Sequence, residues 1–338
     1  MRFNKLDLNL LVALDTLLTE RSISRAGERL HLSQSAMSNA LARLRAFFND
    51  DLLVQVGRKM ELTPRAETLK DAVRDVLVRV DSAILAQPRF DPASSDRRFR
   101  LIVSDYTTTV LMPQLLTLAA RQSRTVCFDL LPLLQPPQRE LERGEVDLLV
   151  LPLEYLTPEE HPFDVLFEEQ FVCAVWSGGR FANTDKLTVE QYAAAGHVVI
   201  YPPGMDGPTL AAWLKRRYPA AQRIEVTTYS FAAAPYLVVG TDRIATMHAR
   251  LAKLARKSLP LRLLPAPLPG PPMKQAIQWH KYRTQDPGLV WLRGLLHQAV
   301  VRMDAELDLS PAALPLRPKR PAWNDPTAGA SPPQAAIE

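Results

Sequence analysis

The chain has 338 residues, with 41 Lys or Arg against 36 Asp or Glu and a net charge of +5; that length suits two or three units, each able to bury its own core. Its two cysteines, Cys127 and Cys173, lie far apart inside apolar runs, which excludes a disulfide scaffold and reads as a cytoplasmic protein with reduced core thiols. No apolar run approaches the roughly 20 residues a bilayer crossing demands, so no membrane partner is expected.

Charge is unevenly placed: residues 1–65 hold ten Lys/Arg against seven Asp/Glu, while the rest of the chain is nearly neutral. A basic first segment is a nucleic-acid hint. The N-terminus resembles a signal peptide only superficially, because Asp7 and Asp15 interrupt it and no small-residue cleavage site follows. Leu10, Leu11, Leu14, Leu17 and Leu18 instead make the stripe of an amphipathic helix.

Ser22 to Phe48 reads as two helices joined by a very short turn. Ile23, Ala26 and Leu30 recur at helical spacing behind a Ser22 N-cap; the break falls at His31-Leu32; Ser33 then caps a second helix. In that helix Met37, Leu41, Leu44 and Phe48 form one apolar stripe, and Ser35, Ser38, Asn39 and Ala42 lie opposite. Short polar residues can approach base edges closely, which points to a DNA-reading helix; a helical hairpin from a bundle core stays open. Leu52, Val54 and Val56 then alternate with polar residues, Gly57-Arg58-Lys59 turns the chain, and Met60 and Leu62 resume the alternation. This is a wing with Arg58 and Lys59 placed for phosphates, or simply a solvated turn.

Thr63-Pro64 starts a long helix through about Ala86. Ala66, Leu69, Val73, Val76, Val80 and Ala83 step by three and four, as in a coiled-coil seam, so it packs either on a second copy or on its own domain. Gln87 to Arg98 has linker composition. Strands and helices then alternate: strands at 99–103, 126–133, 146–151, 171–176, 198–201, 224–228, 244–247 and 274–280, and helices at 107–121, 135–143, 188–194, 209–217, 231–239, 249–257 and 288–303. Such alternation predicts a parallel sheet covered on both faces. The Pro-rich cut from Pro265 to Pro272 suggests two lobes, with the last strand and helix returning to the first. After Ser310 the Pro/Ala-rich tail lacks periodicity and reads as disordered.

No catalytic constellation, metal-ligand spacing or nucleotide fingerprint appears, so no catalytic residue, metal or cofactor is expected. The strand-to-helix junction Ser104-Asp105-Tyr106-Thr107 sits where open α/β sheets bind ligands, although Asp105 can equally be a simple cap. With two lobes, Pro152, His197, Tyr201, Phe231 and Thr246 converge on the same cleft, the arrangement of a sensor closing on a small molecule.

RAGERLHLSQSAMSNALARLR, followed by the wing and LTPRAETL, resembles the LysR-type bacterial transcriptional regulators over about residues 5–305. LSQSAMSNALARLR and WHKYRTQDPGLVWLR are similar to the subgroup holding the nodulation activators and the salicylate- or nitroaromatic-responsive regulators. The resemblance implies an α/β architecture of four parts: a winged helix-turn-helix at 1–63, a linker and dimerisation helix at 64–87, a two-lobed α/β effector domain of periplasmic-binding-protein type at 88–309, and the tail at 310–338. It implies double-stranded DNA with an interrupted palindromic operator, contacted by Ser33, Gln34, Ser35, Ser38, Asn39, Arg43, Arg58 and Lys59. It implies a small-molecule effector, here an aromatic acid or phenol, a homodimer assembling to a tetramer, and RNA polymerase as a further partner. Gly27 stands where the family usually has alanine and Asn39 where many members have arginine, so base preference does not carry over. The competing class is a cytoplasmic α/β enzyme or solute-binding receptor with an appended helical domain.

Overall fold

The computed structural model describes residues 8–80, 82, 89–133, 136–202, 209–218, 222–268, 270 and 273–309. Expectations for Ala83 to Pro88 and for the tail from Ser310 lie outside these residues. Helices α1 (Leu8–Glu20), α2 (Ile23–Leu30) and α3 (Gln34–Phe48) pack around one core, followed by the hairpin β1 (Leu53–Val56) and β2 (Lys59–Leu62) and by α4 (Pro64–Val80). Leu14, Leu17, Leu18, Met37, Leu41 and Leu44 are fully buried in that core. Each contributes roughly 1.5–3 kcal/mol by leaving water. Thr63 caps α4 as its sequence suggests, accepting the Ala66 amide at 3.1 Å.

The expected seam of α4 divides between two surroundings. Ala66 and Val73 are buried and Leu69 packs beside them in the core shared with α1, whereas Val76 is 44% exposed. The heptad spacing was therefore serving the helix's own domain over its first half. Arg74 joins α4 to α1 through Asp15 at 2.9 Å, with both side chains almost covered.

The second region runs β3 (Arg98–Val103), α5 (Asp105–Val110), α6 (Met112–Ala120), β4 (Cys127–Leu131), α7 (Gln138–Glu142), β5 (Leu148–Pro152) and β6 (Phe163–Glu169). At Gln170 the chain crosses into a second lobe with β7 (Phe171–Trp176), α8 (Val189–Ala194), β8 (Gly196–Ile200), α9 (Leu210–Arg217), β9 (Arg223–Thr228), β10 (Ile244–His248), α10 (Ala249–Arg256) and β11 (Leu261–Pro265). It returns through β12 (Met273–Gln278) and α11 (Pro287–Glu306). The sheets order as β4-β3-β5-β12-β6 and β11-β7-β10-β8-β9.

Two lobes with a returning last strand agree with the sequence pattern, but the sheets are mixed. Strand β12 runs antiparallel to β5 and β6, and β7 runs antiparallel to β10 and β11. Those reversals accompany the crossovers: β6, which the sequence pattern does not predict, runs at Gln170 straight into β7 of the other sheet, and β11, also not predicted, follows β10 through α10 and precedes the return to β12. The helix expected over 107–121 is two helices broken at Leu111, with Pro113 near the start of the second. The helix expected over 231–239 is a single 3-10 turn, Ala234–Leu237, and the one over 135–143 shrinks to α7.

Candidate DNA-reading face and effector cavity

The turn between α2 and α3 closes on itself. His31 takes a left-handed conformation at φ 54°, and the Leu32 amide donates to the Gly27 carbonyl at 2.8 Å. A Cβ on residue 27 would meet the Leu32 carbonyl oxygen at 2.9 Å, which accounts for glycine at this position. Ser33 accepts the Ala36 amide at 3.2 Å and pairs with the Ser35 hydroxyl at 3.0 Å, so its side chain is spent on holding the helix start. Gln34, Ser35, Ser38, Asn39, Ala42 and Arg43 then form an exposed face with no large side chain before Arg43. Arg45 fixes the wing against this helix through the Asp51 and Leu53 carbonyls at 2.8 and 2.7 Å. Gly57 turns the wing at φ +62°, and Arg58 and Lys59 stand exposed at its tip.

Between the lobes lies a cavity of about 120 Å³, with Phe171, Trp213, Phe231, Met247, His248 and Met273 in its wall. Of the residues nominated from sequence, Pro152, Phe231 and Thr246 line it. Ser104 and Asp105 instead edge a neighbouring cleft of about 390 Å³ that also holds Pro202, Tyr229 and Ser230.

The remaining nominations have other work. Asp105, nominated with this junction or as a simple cap, instead sends its carboxylate across the lobes, accepting the Ser230 hydroxyl at 2.7 Å and the Ala232 amide at 3.2 Å. The Thr107 amide is already taken by the Ser104 hydroxyl at 3.2 Å, and the buried Thr107 hydroxyl accepts from Gln275 at 3.1 Å. This helix start therefore has no free Thr107 amide for a carboxylate. Tyr106 is buried and donates to Glu169, whose other oxygen accepts the Gln170 amide at the crossover. His197 is fully buried and bonded to the Tyr192 carbonyl at 2.8 Å, behind the cavity wall rather than in it. Tyr201 is 41% exposed and is not among the lining residues.

Arg250 stabilises the buried Glu169 carboxylate at 3.5 Å and holds Asp304 of α11 at 2.8 and 3.0 Å. Burial raises the Glu169 carboxyl above its ordinary range, and Arg250 opposes that rise. This cluster ties both lobes together beside the crossover.

The wall also holds residues that the sequence did not single out, a buried histidine among them. His248, only 6% exposed, stacks on Tyr106 at 4.2 Å and lies 5.0 and 5.1 Å from the rings of Phe231 and Phe171. Burial pushes its pKa down to about 3, so the ring is neutral, and its Nδ1 has no hydrogen-bond partner. The signal was present in the sequence two residues beyond Thr246, where the strand had been ended too early.

Residues 8–67 match the model of the bacterial regulatory helix-turn-helix protein, lysR family, and residues 92–301 match the LysR substrate binding domain. The chain belongs to the LysR family. It is a LysR-type transcriptional regulator, which removes the enzyme alternative left open by composition. It is 43% identical to nodulation protein D 1 of Neorhizobium galegae over 310 residues, 92% of this chain and 99% of that protein. Full-length OxyR from Pseudomonas aeruginosa shares the fold at a TM-score of 0.62 and 17% identity, covering 87% of this chain and 94% of that one. Full-length CbnR complexed with its target DNA aligns at a TM-score of 0.52 and 15% identity, covering 88% and 100%.

Proposed function

We propose that this LysR-type regulator reads duplex DNA through α3 and the wing and responds to a small, neutral aromatic compound held between the lobes of the second region. The observation that carries the DNA reading is the exposed face of Gln34, Ser35, Ser38 and Asn39, short enough to meet base edges and set beside the cations Arg58 and Lys59. Full-length CbnR on its target DNA is a precedent of the same fold. Two copies of the chain present two such helices to an interrupted palindrome, and dimers pair to a tetramer; RNA polymerase is the partner through which binding acts on transcription.

The effector assignment follows from the cavity. Its wall is largely aromatic and aliphatic, and none of the described residues that line it is Lys or Arg. A carboxylate would enter uncompensated, with Glu154 at the rim adding repulsion. Of the aromatic acid and the phenol that the sequence suggested, the phenol is the better supported.

Fluorescence anisotropy with DNA fragments from beside its own gene, titrated across a salt series, tests the DNA reading. Gln34→Ala and Ser38→Ala should lose discrimination between the selected site and a scrambled one, each by about 1–3 kcal/mol. Arg58→Ala should weaken both fragments alike and lower the salt slope by about one charge. Unchanged affinity and preference in all three variants would remove the docking proposal.

A further inference from the structure

A cleft of about 690 Å³ lies between α4 and the first lobe, lined by Asp71 and Asp75 of the helix and by Glu142, Glu160 and His161 of the lobe. Glu142 ends α7, and Glu160 and His161 lie in the turn that leads into β6. Among the described residues these three bring one oxygen or ring nitrogen each to within 4.8 Å of one another. The backbone holds His161 in place: its amide donates to the Thr157 carbonyl at 3.2 Å, its carbonyl accepts from Gln278 at 3.2 Å, and its ring lies 4.9 Å from that of His280.

We infer that Glu142, Glu160 and His161 form a site for a divalent transition-metal ion, set against α4 so that occupancy braces this helix on the first lobe. Two carboxylates directed at one another repel. Burial, then Glu160 and then Asp71 of α4 hold the Glu142 carboxyl above its ordinary range, against the opposing pull of Arg139 and Arg143. A cation between these groups turns their repulsion into attraction. The imidazole points the same way, because His161 is 5% exposed and its Nε2 has no hydrogen-bond partner.

Distance rather than exposure of the ring decides whether an ion reaches it. Glu142 and Glu160 are both exposed, so a cation enters through their carboxylates, which already stand within 4.8 Å of a His161 ring nitrogen. Bound metals sit about 2.0–2.2 Å from such donors, which then stand roughly 3–3.5 Å apart, so the glutamates have to close by no more than about 2 Å. The Lys281 amide makes a long hydrogen bond to His161 Nδ1 at 3.4 Å. Coordination gives this contact up: through Nδ1 because the metal takes that lone pair, through Nε2 because the ring proton then sits on Nδ1. One imidazole and two carboxylates, with open positions left for water, suit Zn²⁺, Co²⁺ or Ni²⁺ better than Ca²⁺, which takes about six to eight oxygens.

Titration of metal-free full-length protein with Co²⁺, followed by visible absorption and with Zn²⁺ as competitor, provides the test. The wild type should bind one equivalent per chain, and Zn²⁺ should displace it. Glu142→Gln combined with Glu160→Gln should lose that binding, and His161→Gln should weaken it by more than the roughly ten-fold that loss of an outer-shell partner costs. The double variant alters exposed side chains and leaves the buried imidazole in place, so a folding defect in His161→Gln does not decide the outcome. Hydrogen exchange across residues 67–75 of α4 should slow on adding Zn²⁺ to the wild type and to neither variant. No bound Co²⁺ in the wild type, or equal binding in the wild type and both variants, would overturn the site. Binding that is lost in the variants but never slows exchange in α4 would keep the site and overturn the brace.

Discussion

His248 and His280 both follow strands into the protein interior, and burial keeps both neutral, with pKa values pushed down to about 3 and about 4. In the unfolded chain each returns to about 6.5, so between pH 6.5 and 4 the unfolded state binds more protons than the folded one. Stability is therefore fully present above pH 6.5 and falls as the solution is acidified, by about 1.4 kcal/mol per pH unit for each histidine. Calorimetric unfolding at pH 7, 6 and 5 should show a shallower acid decline in His248→Phe than in the wild type by about that amount per unit. Parallel declines would mean that His248 is protonated in the folded protein. At this scale the helix-turn-helix was largely legible: Ser22, Ser33 and Thr63 cap the helices their positions predicted, and Ser35, Ser38 and Asn39 face outward. The cavity was not. His197 and Thr107 have the right residue types at the right strand ends, but hydrogen bonds to Tyr192 and Gln275 engage them elsewhere, and no sequence spacing encodes which face of a sheet those partners occupy.

Helix α4 illustrates what periodicity resolves and what it leaves open. Spacing by three and four identifies a helix with an apolar stripe, but Ala66 and Val73 use that stripe on α1, so an Asp at Val73 would enter the domain's own core. The Arg21–Glu67 and Arg74–Asp15 pairs run α1 antiparallel to α4, which brings the exposed Leu8 and Val12 toward the end of the pair where Val76 is exposed. That outward surface is the better candidate for the contact between copies. Val76→Asp should give monomers by light scattering with an unchanged helical circular dichroism, whereas Val73→Asp should cost about 2–5 kcal/mol and unfold the winged domain. An intact oligomer in Val76→Asp would place the contact elsewhere. Strands β6 and β11 escaped notice for a related reason: FDVLFEE follows β5 with no α-helix between them, and LRLLP is only five residues long and ends in proline, so neither stands out as a step of strand–helix alternation. Because those two strands carry the chain into each crossover, missing them is also what made the sheets look parallel.

At the scale of the whole molecule, one set of contacts joins the two lobes beside the cavity and another joins the first lobe to α2 and α4. Asp105 latches the first lobe to Ser230 and Ala232, which flank the cavity residue Phe231, so a ligand pressing on Phe231 bears directly on the latch. Below the first lobe, Glu145 lies 3.5 Å from Arg29 of α2 and 3.8 Å from Arg74 of α4, and the Tyr282 hydroxyl donates to Asp75 at 3.2 Å. An effector can shift DNA affinity only through its differential affinity for two arrangements, and the shift is reciprocal. Opening the latch with Asp105→Ala removes two hydrogen bonds to a charged acceptor, worth about 1.5–3 kcal/mol each when buried and less at this half-exposed site. Hydrogen exchange at residues 229–233 should rise, and ligand affinity should fall through the lost population of the closed form. Glu145→Gln acts at the other end. It leaves the cavity and latch intact, so 2-naphthol, a neutral phenol, should bind as in the wild type, while the ratio of DNA affinities with and without ligand moves toward one. If that ratio is unchanged in Glu145→Gln, the signal does not travel through Arg29 and Arg74. If 2-naphthol affinity in the absence of DNA changes as well, Glu145 acts on the cavity itself rather than on its link to α2 and α4.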